Sequence, residues 1–228
     1  MKKSLSPSER EAAFGWGYFA LELFLLPQLL SRLNRLLPRP IPLLWLNMLF
    51  YAINFCVLAA IFHSFLRRSL LAASRRPWPV LGWAAGGLAG YICASLVWNF
   101  TAVRLFPGFV NVNTAAISAM AEGNPAALTI GAVVLVPPAE ELLYRGLLFR
   151  TLAGKNRAAA YLVSVLCFSA VHVLGYVGAY PPAVLLLCFV QYFIPSVLLA
   201  WAYDKSGNLF SPILMHAAIN AWGVLSLR

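Results

Sequence analysis

Acidic side chains are scarce in this sequence, with 7 Asp and Glu among 228 residues, and charged residues of both signs make up only 11%. An average soluble domain carries about 25% charged residues. No polar run is long enough to form a separate soluble domain, and there is no internal repeat or low-complexity tract. Because 61% of the residues are hydrophobic, the composition predicts one membrane-embedded domain over residues 1–228.

The sequence also lacks any cysteine motif typical of metal binding or redox catalysis. Cys56, Cys93, Cys167 and Cys188 all lie in apolar runs and form no CxxC pair and no Cys/His cluster, so we interpret them as small buried hydrophobic residues. No intramembrane serine or cysteine is obviously paired with a histidine, which argues against a covalent nucleophile. The net charge of +10 comes from short basic clusters between apolar runs, a pattern typical of membrane topology and not of nucleic-acid binding.

Long apolar runs dominate what is present. A helix needs about 20 apolar residues to cross the hydrocarbon core, and seven segments meet that rule: 13–31, 41–66, 78–103, 126–150, 158–179, 182–203 and 209–226. The first contains Glu22 and Pro27 but no small-residue cleavage site, so we expect an uncleaved span. Residues 105–124 are polar enough for a loop with room for a short interfacial helix. The sequence therefore predicts an all-α, polytopic membrane helix bundle of about seven spans.

The basic residues are distributed unequally between the two sides of this predicted bundle. On the side of the N-terminus are Lys2, Lys3, Arg10, Arg67, Arg68, Arg75, Arg76, Arg150, Lys155, Arg157 and Lys205; on the other are Arg32, Arg35, Arg39, Arg104 and Arg228. Cytoplasmic loops carry the excess of Lys and Arg. We therefore expect a multi-pass protein of the cell (inner) membrane with a cytoplasmic N-terminus.

The third predicted span contains a stripe of small residues. Gly82, Gly86 and Gly90 recur at every fourth position in "GWAAGGLAG". Such a stripe lets two membrane helices approach closely. We predict that all three glycines pack against a neighbouring helix.

The fourth predicted span carries three charges in "EELLYR", and each charge costs about 2.5–3.5 kcal/mol at mid-membrane. Glu141 and Arg145 are four residues apart, which favours an ion pair on one helix face. Successive helical residues point about 100° apart, so Glu140 needs other partners. Pro137 and Pro138 precede the glutamates and are predicted to kink the helix and admit water.

Suitable partners occur in two later spans. "FSAVH" places His172 in the fifth span, and "HAAIN" places His216 and Asn220 on one face of the seventh. Counted along the helices, these side chains and Glu140 lie in the inner half to the middle of the bilayer. His63 lies at the end of the second span and is interpreted as an interfacial residue. A shared polar pocket is predicted from these depths.

Several chemistries fit such a pocket. A carboxylate in an apolar pocket can act as a general base, histidine can move a proton or bind an oxyanion, and asparagine can hold an oxyanion. Two histidines and a glutamate are also a zinc ligand set, so zinc stays open as an alternative to a metal-free site. Proton relay, transport or helix packing would use the same residues. The residues alone leave hydrolysis and transport both open.

The three ordered motifs resemble the CPBP (Abi, CAAX-protease-like) family of intramembrane proteases. They are EExxxR at Glu140–Arg145, FxxxH at Phe168–His172 and HxxxN at His216–Asn220, within residues 125–222. The resemblance implies a helical membrane protein with its catalytic core in the last four spans (125–226). Residues 1–124 would supply N-terminal spans and a loop.

The resemblance also implies residue roles. Glu140 would activate a water molecule, His172 would assist it, and His216 with Asn220 would stabilise the oxyanion. Glu141 and Arg145 would support the site, with no metal ligand and no cofactor. The implied function is an intramembrane endopeptidase acting on a membrane-anchored protein or peptide.

The substrate stays open among a prenylated CAAX protein, a peptide leader and a C-terminal sorting anchor. Two alternatives also stay open: a zinc-dependent version of the same protease, and a non-enzymatic membrane partner or bacteriocin self-immunity protein.

Overall fold

The computed structural model describes residues 5–226, which contain ten helices and no β-strand. The helices are α1 (Glu9–Phe24), α2 (Leu26–Leu36), α3 (Leu43–Ile61), α4 (His63–Arg75), α5 (Pro77–Leu105), α6 (Val112–Gly123), α7 (Pro125–Ala153), α8 (Arg157–Leu174), α9 (Pro182–Ser206) and α10 (Phe210–Leu225). Helix α6 lies in the predicted loop. Lys2, Lys3 and Arg228 of the charge comparison lie outside the described residues.

Five helices, α3, α5, α7, α8 and α9, are long and apolar enough to cross a membrane. Helices α1 and α2 together pass the same test but are bent by 49°, because Pro27 has no N–H to continue the hydrogen-bond ladder across the junction. Helix α10 has 16 residues, fewer than the about 20 of a full crossing. The predicted multi-pass, all-α membrane bundle is confirmed, with five or six full spans and one shorter apolar helix where seven spans were expected.

Several helix ends follow from side chains visible in the sequence. The side-chain oxygens of Asn111, Asn124 and Asn156 each accept a hydrogen bond from a backbone N–H of the first turn of α6, α7 and α8, at 3.0 Å. These bonds satisfy N–H groups that have no partner within the helix. Helix α9 ends at Ser206, and the next residue, Gly207, has a φ of 65°, which suits a residue without a Cβ.

Helix α7 lies at the centre of the bundle. All residues from Leu142 to Phe149 are buried. The ring of Tyr144 makes edge-to-face contacts with Phe19 of α1 at 5.6 Å and with Phe168 of α8 at 5.2 Å between centroids. The segment that carries the three charges is therefore enclosed by other helices.

Helix α1 is fixed to the bundle by two polar contacts. Near its start, Glu11 Oε1 accepts a hydrogen bond from the backbone N–H of Phe65 in α4, at 2.7 Å. About two turns further along the helix, the Tyr18 hydroxyl donates to Asn54 Oδ1 of α3 at 2.8 Å, and this pair is buried. These bonds set the rotation of α1 about its own axis.

The predicted glycine stripe is only partly used. A Cβ on Gly90 would lie 3.3 Å from Leu198, and one on Gly86 would lie 3.9 Å from Trp201, whereas one on Gly82 would meet nothing within 4 Å. The closest approach is at Gly87, outside the stripe, where a Cβ would lie 2.6 Å from Met215 Sδ of α10. The prediction for Gly82 was wrong, because this position of α5 faces open space and not a neighbouring helix.

Candidate active site

Two segments of wide, π-helical turns flank the glutamates in α7. They comprise Gly131–Leu135 and Leu142–Phe149, with an α-helical stretch, Val136–Glu141, between them. The helix continues through Pro137 and Pro138 without a break. Prolines supply no N–H, and π-helical turns of this kind are frequent at functional sites. The backbone hydrogen bonding of α7 therefore changes over the two π-helical segments and not at the prolines alone.

Asn220 binds a backbone carbonyl that the prolines leave free. In the π register, the N–H of Val136 bonds to the carbonyl of Gly131. The following residue, Pro137, has no N–H for the carbonyl of Ala132. Asn220 Nδ2 of α10 donates to that oxygen at 2.8 Å. One N–H of Asn220 is thus used in joining α10 to α7.

We expect Asn220→Ala to lower the free energy of unfolding by about 1–3 kcal/mol, because the Ala132 carbonyl loses its donor. In a Pro137→Ala background the new N–H can bind the Ala132 carbonyl, so the loss from Asn220→Ala should be smaller. Thermal unfolding of the four proteins in one detergent measures both quantities. An equal loss in the two backgrounds would contradict this account of the bond.

The predicted ion pair between Glu141 and Arg145 is present. Arg145 Nη1 lies 3.0 Å from Glu141 Oε1, and both side chains are fully buried. Arg145 Nη2 also donates to the carbonyl and the hydroxyl oxygen of Ser196 in α9, each at 3.0 Å. The guanidinium lies 4.4 Å from the centroid of the Phe168 ring. Arg145 thereby connects α7, α8 and α9.

His216 lies between the two glutamates. Its Nδ1 is 2.9 Å from Glu141 Oε1, and its Nε2 is 3.8 Å from Glu140 Oε2. Because Glu141 is paired with Arg145, it is an ionised carboxylate and can only accept hydrogen bonds. Nδ1 of His216 is therefore the donor of this bond and carries a hydrogen. Glu140 and Glu141 point in different directions, as expected, and the imidazole is hydrogen-bonded to Glu141 alone.

His172 lies against the same aromatic ring as His216. The Phe168 ring is 4.7 Å from the ring of His172 and 5.8 Å from that of His216, between centroids. Nδ1 of His172 donates to the Phe168 carbonyl at 2.8 Å. Its ring stacks on Tyr192 at 4.1 Å, and the Tyr192 hydroxyl accepts a hydrogen bond from Asn113 at 2.7 Å. Both imidazoles thus have a fixed Nδ1 and an Nε2 left for other partners.

A small cavity adjoins Glu140 on the side of α1 and α3. Its volume is about 30 Å³. One water molecule needs about 10–15 Å³ of such space. The walls of the cavity are Glu22, Phe50, Tyr51, Asn54, Leu58, Val136, Ala139, Glu140 and Leu143. Glu140 is 25% exposed, yet its Oε2 is buried and has no hydrogen-bond partner. The space suits one or two water molecules beside a carboxylate.

The predicted residues converge in part. Glu140, Glu141, Arg145 and His216 form one connected group, and His172 adjoins it through Phe168. His63 is exposed at the start of α4, with its Nε2 3.0 Å from the Ser64 hydroxyl, in agreement with its interfacial interpretation.

Sequence reasoning missed other polar residues of this region: Glu22, Tyr51, Asn54, Tyr192 and Ser196. The signal for Glu22 was available, because an ionisable residue within a span is a candidate for function.

The histidines and carboxylates of this region are not arranged as a preformed metal-ligand cluster. Within residues 5–226, no three His, Cys, Asp or Glu side chains are grouped so that they could hold a metal ion. Each candidate imidazole has its Nδ1 hydrogen-bonded and its Nε2 available, and Glu141 is bound to Arg145 and His216.

Comparison with known proteins finds similarity over the part of the chain that carries the three motifs. Residues 122–222 match the family model described as "Type II CAAX prenyl endopeptidase Rce1-like". The UPF0177 protein YxdF of Lactococcus lactis subsp. lactis (strain IL1403) is 30% identical over 95 residues, which are 42% of this chain and 47% of that protein. The match thus spans about half the length of this relative. No solved structure gives a significant match. The resemblance drawn from the motifs is confirmed over residues 122–222.

Proposed function

We propose that this membrane protein, a CPBP-family chain by residues 122–222, is an intramembrane endopeptidase of the glutamate type. It would hydrolyse a peptide bond near the C-terminus or membrane anchor of a lipid-embedded protein or peptide. The observation that carries the proposal is the position of Glu140, which lines a water-sized cavity and whose buried Oε2 has no hydrogen-bond partner and lies 3.8 Å from His216 Nε2. A general base needs a lone pair directed at a water molecule.

The proposed reaction begins when Glu140 takes a proton from a water molecule in the cavity. The water oxygen bonds to the scissile carbonyl carbon, and the carbonyl electron pair moves to its oxygen as an oxyanion. When the oxyanion collapses, the C–N bond breaks, and the proton held by Glu140 passes to the leaving nitrogen. Glu140 is then a carboxylate again, so each turnover consumes one water and no other reactant.

His216 is proposed to stabilise the oxyanion through Nε2. With Nδ1 bonded to Glu141, the ring can donate from Nε2 only in its doubly protonated form. In that form its positive charge and that of Arg145 balance the carboxylates of Glu140 and Glu141. A site without net charge reduces the cost of burying four ionised groups in the membrane.

His172 and Asn220 complete the proposed site. Asn220 keeps a second amide hydrogen beside the one that binds Ala132, and that hydrogen is available to an oxyanion. His172 would assist the water through Nε2, since its Nδ1 is bound to Phe168. Both roles follow from the family motifs and fit the free atoms of these side chains.

The proposed location is the cell membrane, and the substrate is proposed as a chemical class. The excess of Lys and Arg on one side favours a cell-membrane protein with a cytoplasmic N-terminus. The name of the matching family makes a prenylated CAAX protein one candidate substrate. A peptide leader or a C-terminal sorting anchor has the same chemistry, namely an amide bond beside a lipid-embedded segment.

The test is a comparison of membrane proteomes from cells that produce the wild type or Glu140→Gln. We expect uncleaved precursors to accumulate in the variant, and purified wild type to cleave one of them in the presence of a metal chelator. Activity lost with bound zinc on chelation would reject the metal-free mechanism. A biological effect that survives Glu140→Gln would indicate a non-enzymatic partner, and Glu140-dependent tracer uptake without cleavage would indicate a transporter.

A further inference from the structure

Glu22 of α1 is a carboxylate that the family match does not include, since the match begins at residue 122. Its Oε2 is buried and has no hydrogen-bond partner among the described residues. A buried carboxylate oxygen without a donor is costly unless the group is protonated or binds water. The position of Glu22 therefore calls for an explanation beyond packing.

The small cavity explains the position of Glu22, because Glu22 and Glu140 are both among its walls. Glu22 enters from α1 and Glu140 from α7, with α3 forming the third wall. Tyr18 lies one turn before Glu22 and is bonded to Asn54, another wall residue. The same bond that sets the rotation of α1 thus directs Glu22 toward Glu140.

The two nearby cations of the proposed site, Arg145 and doubly protonated His216, already balance Glu141 and Glu140. Arg145 is bound to Glu141 and Ser196, and within residues 5–226 no ion pair joins Glu22 to a Lys, Arg or His. Two carboxylates that border one water-sized space in an apolar surrounding cannot both be ionised without a large repulsion. One proton shared by the two carboxyl groups removes that repulsion.

We propose that Glu22 is a second acid of the active site, which holds this proton and hydrogen-bonds the water that Glu140 activates. This inference rests on the proposed function and adds a residue to it. Before attack, the pair Glu22–Glu140 holds one proton and one negative charge. The water transfers a second proton to Glu140, the leaving nitrogen takes one proton, and the pair returns to one proton and one negative charge.

The protonated Glu22 has a defined part in that cycle. Its O–H donates to the water oxygen and holds it in place, while the water's own hydrogen points to Glu140. Asn54, another polar wall of the cavity, already donates an Nδ2 hydrogen to the Phe50 carbonyl at 3.0 Å, and its amide oxygen accepts from Tyr18.

Infrared difference spectroscopy of the full-length protein in detergent tests the proton directly. We expect the wild type at neutral pH to show a carboxylic acid C=O band that Glu22→Gln removes and that Glu140→Gln shifts. The exposed Glu122 of α6 supplies the matched control, since Glu122→Gln should leave the band unchanged. The absence of a band sensitive to Glu22 would overturn the proposal. The band does not depend on turnover, so it is measured even if no cleavage is found.

Kinetics test the role in the reaction. Glu22→Leu should lower kcat by about 100-fold with little change in KM, since the water loses its donor. Glu22→Gln should retain much more activity, because a neutral amide can also donate. Equal activity of the leucine variant and the wild type would overturn the proposal. Cleavage that survives Glu140→Gln would instead reject the proposed function, so the two failures are distinguishable.

Discussion

Glu140→Gln is expected to lower kcat/KM for cleavage of a membrane-anchored substrate by about 10²–10⁴-fold, the usual contribution of a general base. Glutamine has nearly the same shape but cannot accept the water's proton. The loss should fall on kcat, because the proton is transferred in the transition state and not on binding. Cleavage of a reporter by purified protein in detergent or liposomes measures it.

The matched control for this change is Glu122→Gln, the same substitution at an exposed position of α6. It should cleave at the wild-type rate. Both variants should unfold at temperatures close to that of the wild type, because Glu140 Oε2 has no hydrogen bond to lose. If Glu140→Gln cleaves within a few-fold of the wild type, Glu140 is not the base.

Arg145→Ala is expected to lower the free energy of unfolding by about 3–5 kcal/mol, because it leaves the buried carboxylate of Glu141 without its cation. The substitution also removes two donors to Ser196 and the contact with the Phe168 ring. Expression yield and thermal unfolding in detergent measure the loss. Activity should fall as well, because Glu141 positions His216.

Two further variants separate the charge from the packing. Combining Glu141→Gln with Arg145→Met removes both charges and keeps an acceptor for His216, so this protein should be more stable than Arg145→Ala. Arg157→Ala breaks an ion pair with Asp204 in which Arg157 is 58% exposed, and exposed pairs contribute little. Comparable losses for Arg145→Ala and Arg157→Ala would contradict the assignment.

Composition and local spacing account for the parts of this protein that could be predicted from the sequence. Apolar runs fixed the membrane class and the main helices. The spacing of four residues placed Glu141 beside Arg145, since that geometry lies within a single helix. The two histidine motifs identified residues that do converge, although their partners could not be named from spacing.

Those partners depend on how separate helices pack. His216 bonds to Glu141 and only approaches Glu140, which a count of residues along α10 does not reveal. Asn220 meets Ala132 because a π register and Pro137 together free that carbonyl. Neither effect is visible from the local spacing on which the prediction relied.

By itself the sequence determined that the chain is a helical membrane protein and which residues are candidates for its chemistry, because hydrophobicity and neighbouring charges act over one or two helical turns. Only the tertiary structure decided that α1 brings Glu22 to the cavity of Glu140 and that the Gly82 position is not used for packing. The physical reason is that the rotation of each helix is set by contacts with distant segments, such as Tyr18 with Asn54. A change of rotation by one residue would turn the same side chain toward lipid.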